Sequence, residues 1–364
     1  MSVYDILALA LTLPPAVAWG LDIGQRRARW QWVGFIATGA AVSVATVTTG
    51  FVFAPMRVLC NVLFVTLPFA LALASGRARR AGRRASSLGG VPAWAFAGVA
   101  ALLVGVAVDA FFVEPRALGI ERHEIRSARV ERRLRFVILA DLQFDEWGDY
   151  EREAIDRAAA EEPDVVLFPG DFVQKYGAER RAVLEAARDY IDQSALRPPL
   201  GSYAVAGNIE VDGWEKMFPE RMTTLSSSDV DRGAVRVTGL TLGESFDRNL
   251  VIRSRRDGRK GGEVGTFHVV VGHAPDFSLG HIDADLLVAG HTHGGQVQLP
   301  FIGPLVTFSA VPREQAAGGV FTRPDGSHLV VSRGIGMERG DAPRLRFLCT
   351  PQIVVIDVVP DGQR

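Results

Sequence analysis

Asp, Asn and His residues follow five short apolar runs in the second half of this chain, each at the point where a run ends. The runs are 134–140, 164–168, 202–206, 267–272 and 285–289, and the residues that follow them are Asp141, Asp171, Asn208, His273, and the pair His291 and His293. Carboxylate, amide and imidazole groups are common protein ligands for divalent metal ions. If the runs are strands of an open α/β sheet, these groups converge, because sites in such sheets lie beyond the carboxyl ends of the strands. The pattern therefore predicts a metal site.

Each of these residues has a structural explanation when it is taken alone. Gly170-Asp171 and Asn208 are typical of turns, Asp141 could cap a helix, and His273 could be a hydrogen-bonded residue at the edge of a core. The run Gly290-His291-Thr292-His293 is harder to explain this way, since two His alternate within a glycine-flanked turn. The order of all six residues, at five successive strand ends, favours the metal site.

The elements that position these residues read as an α/β domain. Short apolar runs alternate with helical patterns, which are clearest near 150–161 and 178–193. Most of 116–135 reads as the first strand of this domain. Later runs near 234–238, 328–332 and 353–358 indicate a second sheet.

The first third of the chain has a different composition. Its four apolar runs are each close to the ~20 residues that span a bilayer core, and they lie at about 6–23, 31–54, 58–75 and 91–113. Residues 1–113 contain nine Arg, no Lys and three acids, whereas the remainder has a net charge of −7. We therefore predict a transmembrane helical domain over 1–115 and a second domain over 116–364. A net acidic second domain without a basic cluster argues against nucleic acid as its partner, and we expect none.

The positions of the Arg residues predict the orientation in the membrane. The loop after the first run and the loop after the third contain eight Arg between them, and the intervening loop contains only Arg57. Cytoplasmic loops carry an excess of basic residues. We therefore expect an integral protein of the plasma (inner) membrane, with the N-terminus and everything after residue 113 outside the cytoplasm.

The motifs resemble those of the calcineurin-like metallophosphoesterase superfamily. Its pattern is Asp-x-His, Gly-Asp, Gly-Asn-His-Asp/Glu, His and Gly-His-x-His, and similarity extends over about 130–360. The run Gly290–Gln296 (GHTHGGQ), together with VVSRGIG and PRLRFLCTPQI nearer the C-terminus, resembles a branch that is often attached to membranes. The order of helices and domain is similar to that of transmembrane proteins with a metallophosphoesterase domain.

This resemblance implies a fold and a ligand set. The fold is α/β, a four-layer α/β/β/α sandwich, here preceded by an all-α membrane domain of about four transmembrane helices. By likeness to the family, one divalent ion is bound by Asp141 and His293, the other by Asn208, His273 and His291, and Asp171 bridges them. The residues expected to act in catalysis are Asp171, Asn208, His291 and Glu210. Two ions about 3.5–4 Å apart clamp the phosphate oxygens and activate the attacking hydroxide.

Two positions depart from the family pattern. Gln143 takes the place of the first-motif histidine; it can still ligate through its amide oxygen, and a neutral oxygen donor favours Mn, although Mg, Fe or Zn could bind. Ile209 takes the place of the histidine in Gly-Asn-His, which is expected to protonate the leaving group or hold the phosphate. Isoleucine can do neither. Glu210 remains as an acid, or as an ordinary surface residue.

The resulting hypothesis is a membrane-anchored hydrolase for phosphodiesters or pyrophosphates, with a phosphoester substrate that is amphiphilic or lipid-linked. The alternative is a metal-binding pseudo-enzyme, a sensor or scaffold in which Gln143 and Ile209 mark lost catalysis. A third interpretation makes the helices a transporter with a regulatory domain. No paired charges within the apolar runs support it.

Overall fold

The structure is a computed structural model, and it describes residues 2–21, 27–49, 53–81, 92–253 and 265–361. The chain divides into two compact units. The first comprises Met1–Val113 with Glu338–Arg344, and the second comprises Glu114–Met337 with Leu345–Arg364.

The first unit is helical. Its helices are α1 (Val3–Leu21), α2 (Arg27–Thr49), α3 (Phe53–Asn61), α4 (Leu67–Ala81) and α5 (Ala93–Val108); π-helical turns at Val62–Thr66 and Asp109–Val113 follow α3 and α5. Four stretches are long and apolar enough to cross a bilayer, namely Val3–Leu21, Arg29–Thr48, Phe53–Arg80 and Ala93–Arg116. The all-α part of the predicted fold class is therefore confirmed.

Hydrogen bonds near the helix ends show that α1 runs antiparallel to α2, and α4 antiparallel to α5. Tyr4 near the start of α1 contacts Thr48 near the end of α2, with 3.1 Å between the hydroxyl oxygens. At the opposite ends, Arg77 of α4 donates to the carbonyl of Leu21 at 2.5 Å. Ser75 of α4 donates to the carbonyl of Ala93 at the start of α5 at 2.9 Å. The end of α1 therefore lies at the same end of this unit as the Arg-rich last turn of α4.

An ion pair joins α1 to α3. Arg57 donates to both carboxylate oxygens of Asp5, at 2.8 and 3.0 Å, and Asn61 donates to the same carboxylate at 2.8 Å. Both charges flank apolar runs, so a search within the runs for paired charges could not find them. The pair links two helix ends, and it leaves the centres of the predicted spans without charge.

The second unit contains two six-stranded sheets. The strands of the first are β1 (Gly119–Ser127), β2 (Leu134–Ile138), β3 (Val165–Phe168), β4 (Ser202–Ala204), β5 (Thr223–Thr224) and β16 (Gln352–Pro360). Their order is β1-β16-β2-β3-β4-β5, with β16 antiparallel to β2 and the other neighbours parallel. The strands of the second are β6 (Ser228–Asp231), β7 (Val235–Gly239), β9 (Phe267–Val271), β11 (Leu286–Ala289), β14 (Gly319–Thr322) and β15 (His328–Val331). Their order is β14-β15-β11-β9-β7-β6, and the pairs at the two edges of this sheet are antiparallel while the inner pairs are parallel.

The main core lies between the two sheets. Phe136 and Leu167 of the first sheet share one cluster with Val269 and Val288 of the second, and all four side chains are fully buried. The central strands are continuous apolar runs because both of their faces are covered, as is usual for parallel strands. The strands predicted at 134–140 and 202–206 end two residues early, since the chain turns there into the loops that carry the polar residues. The prediction that the run near 353–358 belongs to the second sheet is wrong, because this run forms β16, which pairs with β1 and β2 in the first sheet.

Helices cover the outer faces. Helices α6 (Asp149–Ala160) and α7 (Arg180–Gln193) pack on the first sheet, and α7 buries Leu184, Ala187 and Ile191, which recur at helical spacing. The outer face of the second sheet is covered by a 3-10 helix at Pro275–Leu279, against which α8 (Leu242–Phe246) packs. This is the α/β/β/α arrangement predicted from the sequence, with a thin fourth layer in the described residues. The remaining elements are α9 (Arg313–Ala316) and the short strands β8 (Val251–Ile252), β10 (His281–Ile282), β12 (Gln298–Leu299) and β13 (Gly303–Pro304).

Candidate metal centre

The loops that follow the central strands adopt an unusual backbone conformation. Five of the seven candidate ligands are in the left-handed region, with φ values of 48° (Asp141), 41° (Gln143), 55° (Asp171), 69° (His291) and 48° (His293). Such residues cost roughly 1–3 kcal/mol each and persist where surrounding contacts determine the conformation, often at functional sites.

Glycines allow these loops to approach one another closely. A Cβ atom at Gly290 would lie 2.7 Å from the Asp141 carboxylate, and one at Gly170 would lie 2.6 Å from Nδ1 of His273. Without side chains at these positions, the His291 amide reaches the Asp141 carboxylate, with nitrogen-to-oxygen distances of 3.0 and 3.1 Å. The glycines noticed in the sequence are therefore needed for the contact between loops.

One group of donors is formed by Asp171, His273 and His291, whose ligand atoms lie within 4.8 Å of one another. The Oδ1 atom of Asn208 joins them, at 2.9 Å from Nε2 of His273 and 2.9 Å from Nδ1 of His291. Asn208 is exposed and His291 is partly exposed, so this group opens to solvent. A substrate can reach the site from this side.

Backbone carbonyls orient both imidazoles of this group. Nδ1 of His273 lies 2.9 Å from the carbonyl oxygen of Pro169, and Nε2 of His291 lies 3.2 Å from that of Phe308. Carbonyls only accept, so these two nitrogens carry hydrogen, and the opposite nitrogens point into the group, 3.2 Å apart. Metal-bound imidazoles are usually held by such a second hydrogen bond. The arrangement directs two lone pairs and an amide oxygen at one point.

A second group is formed by Asp141, Asp171 and His293, again with ligand atoms within 4.8 Å of one another. All three residues are buried, and among the described residues neither ring nitrogen of His293 has a hydrogen-bond partner. A buried polar atom without a partner costs about 1–3 kcal/mol. A cation at this position would remove that cost. Asp171 is common to both groups.

Burial and nearby charges raise the pKa of some residues in the two groups and lower the pKa of others. Burial lowers the pKa of His273, but the charge of Asp171 and a hydrogen bond to it outweigh burial and raise it to about 9. Burial, together with the positive charges of Arg346 and His273, lowers the pKa of His293 to about 3. Burial raises the pKa of Asp141 to about 8, and Asp171 adds to the rise. Without a cation, a proton on His273 thus balances the buried carboxylates. Divalent ions would replace that proton, and the donor set fits two of them.

Glu210 holds two loops together. Its carboxylate accepts hydrogen bonds from the backbone amides of Asp171 (3.0 Å), Phe172 (2.7 Å) and Gly207 (2.5 Å). Burial and the nearby charge of Asp171 raise the pKa of Glu210 to about 7. Three amide donors orient this carboxylate toward the backbone, which is a positioning role. Its predicted part in catalysis stays a prediction.

The two departures from the family pattern lie in the same loops. Gln143 is fully buried; its backbone amide donates to the carbonyl of Asp171 at 2.9 Å, and its side-chain amide donates to Oε1 of Gln174 at 3.1 Å. Ile209 is also buried, and its backbone amide donates to Asp171 Oδ1 at 3.1 Å. The backbone at both positions therefore supports Asp171, whereas the Ile209 side chain offers no proton.

One residue that contributes to the site was missed in the sequence. Arg346 is fully buried, and its guanidinium donates to the backbone carbonyls of Arg333, Gly334, Gly336 and Cys349 and to the Cys349 sulfur. The segment that it holds packs on Asp141: the amide of Gly336 donates to the Asp141 carbonyl at 2.7 Å. A signal was present, because Arg346 lies between Leu345 and Phe347 in an apolar run, where a charge demands partners.

Comparison with known proteins agrees with this geometry. A family model for calcineurin-like phosphoesterases matches residues 134–295. The chain is similar to the metallophosphoesterase YkuE of Bacillus subtilis, with 28% identity over 267 residues that cover 67% of this chain and 86% of that protein. It is also similar to the phosphodiesterase YaeI of Escherichia coli, with 31% identity over 93 residues that cover 25% of this chain and 32% of that protein.

Among solved structures, a dimetal phosphatase from Danio rerio matches 56% of this chain and 88% of its own, with 12% identity and a TM-score of 0.32. Because this TM-score is low, the match is not evidence for the fold. The fold and the matched motifs define a metal-dependent hydrolase of phosphoesters. Residues 134–295 therefore form a calcineurin-like phosphoesterase domain.

Proposed function

We propose that this chain is a membrane-anchored phosphoesterase of the GHTHGGQ branch, which hydrolyses phosphodiester or pyrophosphate bonds of lipid-linked substrates. The proposal assigns 1–115 to the membrane domain and 116–364 to the hydrolase. One observation carries the hydrolase assignment: two donor groups share Asp171, and the group with Asn208 and His291 opens to solvent. Two divalent ions at such a site supply Lewis acidity and an activated water for in-line attack on phosphorus.

The type of phosphoester bond that we propose is cleaved follows from how the leaving group departs. A positioned general acid contributes typically ~10²–10⁴-fold when the departing oxygen is a poor leaving group. Ile209 cannot donate a proton, and the Glu210 carboxylate is held by three backbone amides. Esters whose leaving group departs unprotonated, such as aryl phosphates or a nucleoside phosphate leaving from a pyrophosphate, should therefore react fastest. The name of the similar phosphodiesterase YaeI agrees with a diester substrate.

The proposed metal is manganese. Asp141, Asp171 and Asn208 supply oxygen donors, and Gln143 replaces an imidazole with a neutral amide, which favours Mn over Zn. Competition between the two ions at equal free concentration, with metal analysis of the protein afterwards, tests this. Preferential loading of Zn would contradict it.

The proposed orientation in the plasma membrane has the hydrolase outside the cytoplasm. The last turn of α4 contains Arg79 and Arg80, and it lies at the same end of the helical unit as the end of α1. Three of the eight Arg on which this orientation rests, Arg26, Arg83 and Arg84, lie outside the described residues. Reporter fusions after residue 120 test the orientation, since fluorescence from a reporter that folds only in the cytoplasm would contradict it.

The central experiment measures hydrolysis by the metal-stripped full chain in detergent after Mn is added back. We expect aryl phosphodiesters to be cleaved, alkyl monoesters to react slowly, and the rate to depend steeply on the leaving-group pKa. Ile209→His should flatten that dependence, and Asp171→Asn should abolish turnover. If no phosphodiester or pyrophosphate is cleaved while the protein still binds two metal ions, the chain is the metal-binding pseudo-enzyme instead.

A further inference from the structure

An exposed apolar surface lies beside the metal loops. Four large side chains of the second unit form what is here named the apolar rim: Phe301, Ile302, Leu305 and Leu348, with exposed fractions of 110, 53, 52 and 52%. Three of them belong to Val297–Pro312, a stretch without a single charged residue. Exposed apolar side chains that cluster in this way mark interaction sites.

Hydrogen bonds fix the base of the hairpin that carries Phe301 and Ile302. Strands β12 and β13 form a two-stranded hairpin whose tip carries Phe301 and Ile302. At the base, the side chain of Gln298 donates to the carbonyl of Gly294 at 3.1 Å, and its backbone amide donates to the carbonyl of Phe347 at 2.9 Å. The apolar tip thus projects from the rest of the second unit on a defined hairpin.

The backbone of the rim is strained. Phe301 has a φ of 67° and Leu348 a φ of 52°. For bulky residues the left-handed region is a true outlier. Strain of this kind persists where function requires a side-chain direction that the relaxed backbone would not provide.

The rim also adjoins the point where the chain leaves its last apolar helix. Glu114 lies in the final turns of the candidate span Ala93–Arg116. Its carboxylate accepts hydrogen bonds from the backbone amides of Leu348, at 2.7 Å, and of Cys349. Phe347, next in sequence, pairs with the hairpin base at Val297. Leu348 is therefore tied directly to a residue that the chain itself places near the bilayer surface.

From these observations we infer that the apolar rim inserts into the lipid bilayer, at the boundary between headgroups and acyl chains. Burial of one large apolar side chain contributes about 1.5–3 kcal/mol, so four can hold a hairpin in this layer. The carbonyl of Phe308, at the end of the uncharged stretch, accepts the hydrogen bond from His291. The rim thus holds the open donor group at the depth of lipid headgroups, which makes the phosphate of a membrane lipid its substrate class.

This inference rests on the proposed membrane integration, and its test separates the two. The full chain with Phe301→Cys is labelled with a nitroxide and reconstituted into phosphatidylcholine vesicles. Collisions of the label are measured with oxygen, which concentrates in hydrocarbon, and with a water-soluble nickel chelate. Glu185→Cys, on the exposed face of α7, is the matched control, and the parent chain shows any labelling of Cys60 or Cys349.

We expect the ratio of oxygen to nickel collisions to be several-fold higher at residue 301 than at residue 185, with the same result for Ile302→Cys. A label at 301 that is as open to nickel as the label at 185, in a chain that resists alkaline carbonate extraction, overturns the inference and leaves membrane integration intact. Shielding from both reagents means contact with protein, for example a second copy, and also overturns it. Release of the chain by carbonate refutes membrane integration, and the rim assignment with it.

Discussion

Replacement of Glu210 by Gln tests whether this residue positions the metal loops or takes part in catalysis. One carboxylate oxygen accepts from the amides of Asp171 and Gly207, and the other accepts from Phe172. Gln has one accepting oxygen, so in its better orientation it keeps two of these bonds and turns an NH₂ group toward the third amide. One buried donor is then left without an acceptor.

The expected loss of stability follows from that count. An unsatisfied buried donor costs about 1–3 kcal/mol, and a domain of this size loses ~2–4 °C in Tm for each kcal/mol. Glu210→Gln should therefore lower the Tm by roughly 2–12 °C. Glu210→Ala leaves all three amides without an acceptor and should lower it further. Because the amides belong to the loops that carry Asp171 and Asn208, metal affinity should fall in the same order.

The measurement is a thermal melt of the full chain in detergent, with bound metal counted before and after dialysis. Glu215→Gln is the matched control, since Glu215 is exposed in the same region of the chain. If Glu210→Gln keeps the parent's Tm and metal content but loses turnover, the positioning role is wrong. Glu210 would then act in catalysis, as the sequence suggested.

Three further predictions concern the donor groups. His293→Ala should lose about one of two bound metals, Asp171→Asn should lose both, and exposed His281→Ala should lose neither, as measured by elemental analysis; equal losses at His293 and Asp171 would refute a shared Asp171. The metal-free protein should lose stability as pH rises from 6.5 to about 9. The pKa values of His273 (about 9) and Asp141 (about 8) are raised in the folded state, so the folded state binds more protons than the unfolded state in this window. A Tm that rises over this range would contradict the prediction. Arg346→Met should leave several buried carbonyls without donors, at about 1–3 kcal/mol each, and should weaken metal binding, whereas exposed Arg188→Met should change neither the Tm nor the metal affinity.

Much of the fold could be predicted because its signals are local. The central strands are uninterrupted apolar runs, and residues such as Asp141 and His273 follow them directly, so the strand ends and the donor types can be read in sequence. Run length and composition were likewise enough to predict four long apolar helices. Strand lengths at 134–138 and 202–204 were overestimated, because hydropathy does not register where a chain turns.

The contact partners of individual polar side chains could not be predicted from the sequence in this way. Glu210 looked like a surface acid, since nothing in Gly-Asn-Ile-Glu indicates that its carboxylate reaches amides 38 and 39 residues away. The pairing of Asp5 with Arg57 crosses 52 residues and lies just outside the apolar runs. Such contacts depend on how loops meet, and periodicity carries no information on this.

The sequence by itself determined the residue types at the strand ends, the α/β order and the apolar helices, because these depend on patterns of neighbouring residues. Only the tertiary structure decided which imidazole nitrogens face the site, since the deciding carbonyls of Pro169 and Phe308 lie on other loops. It also decided that Arg346 holds the segment beside Asp141, and that Glu114 holds the backbone of Leu348 across 234 residues. These contacts are set by the meeting of distant segments, where the direction of a side chain follows from φ and from packing.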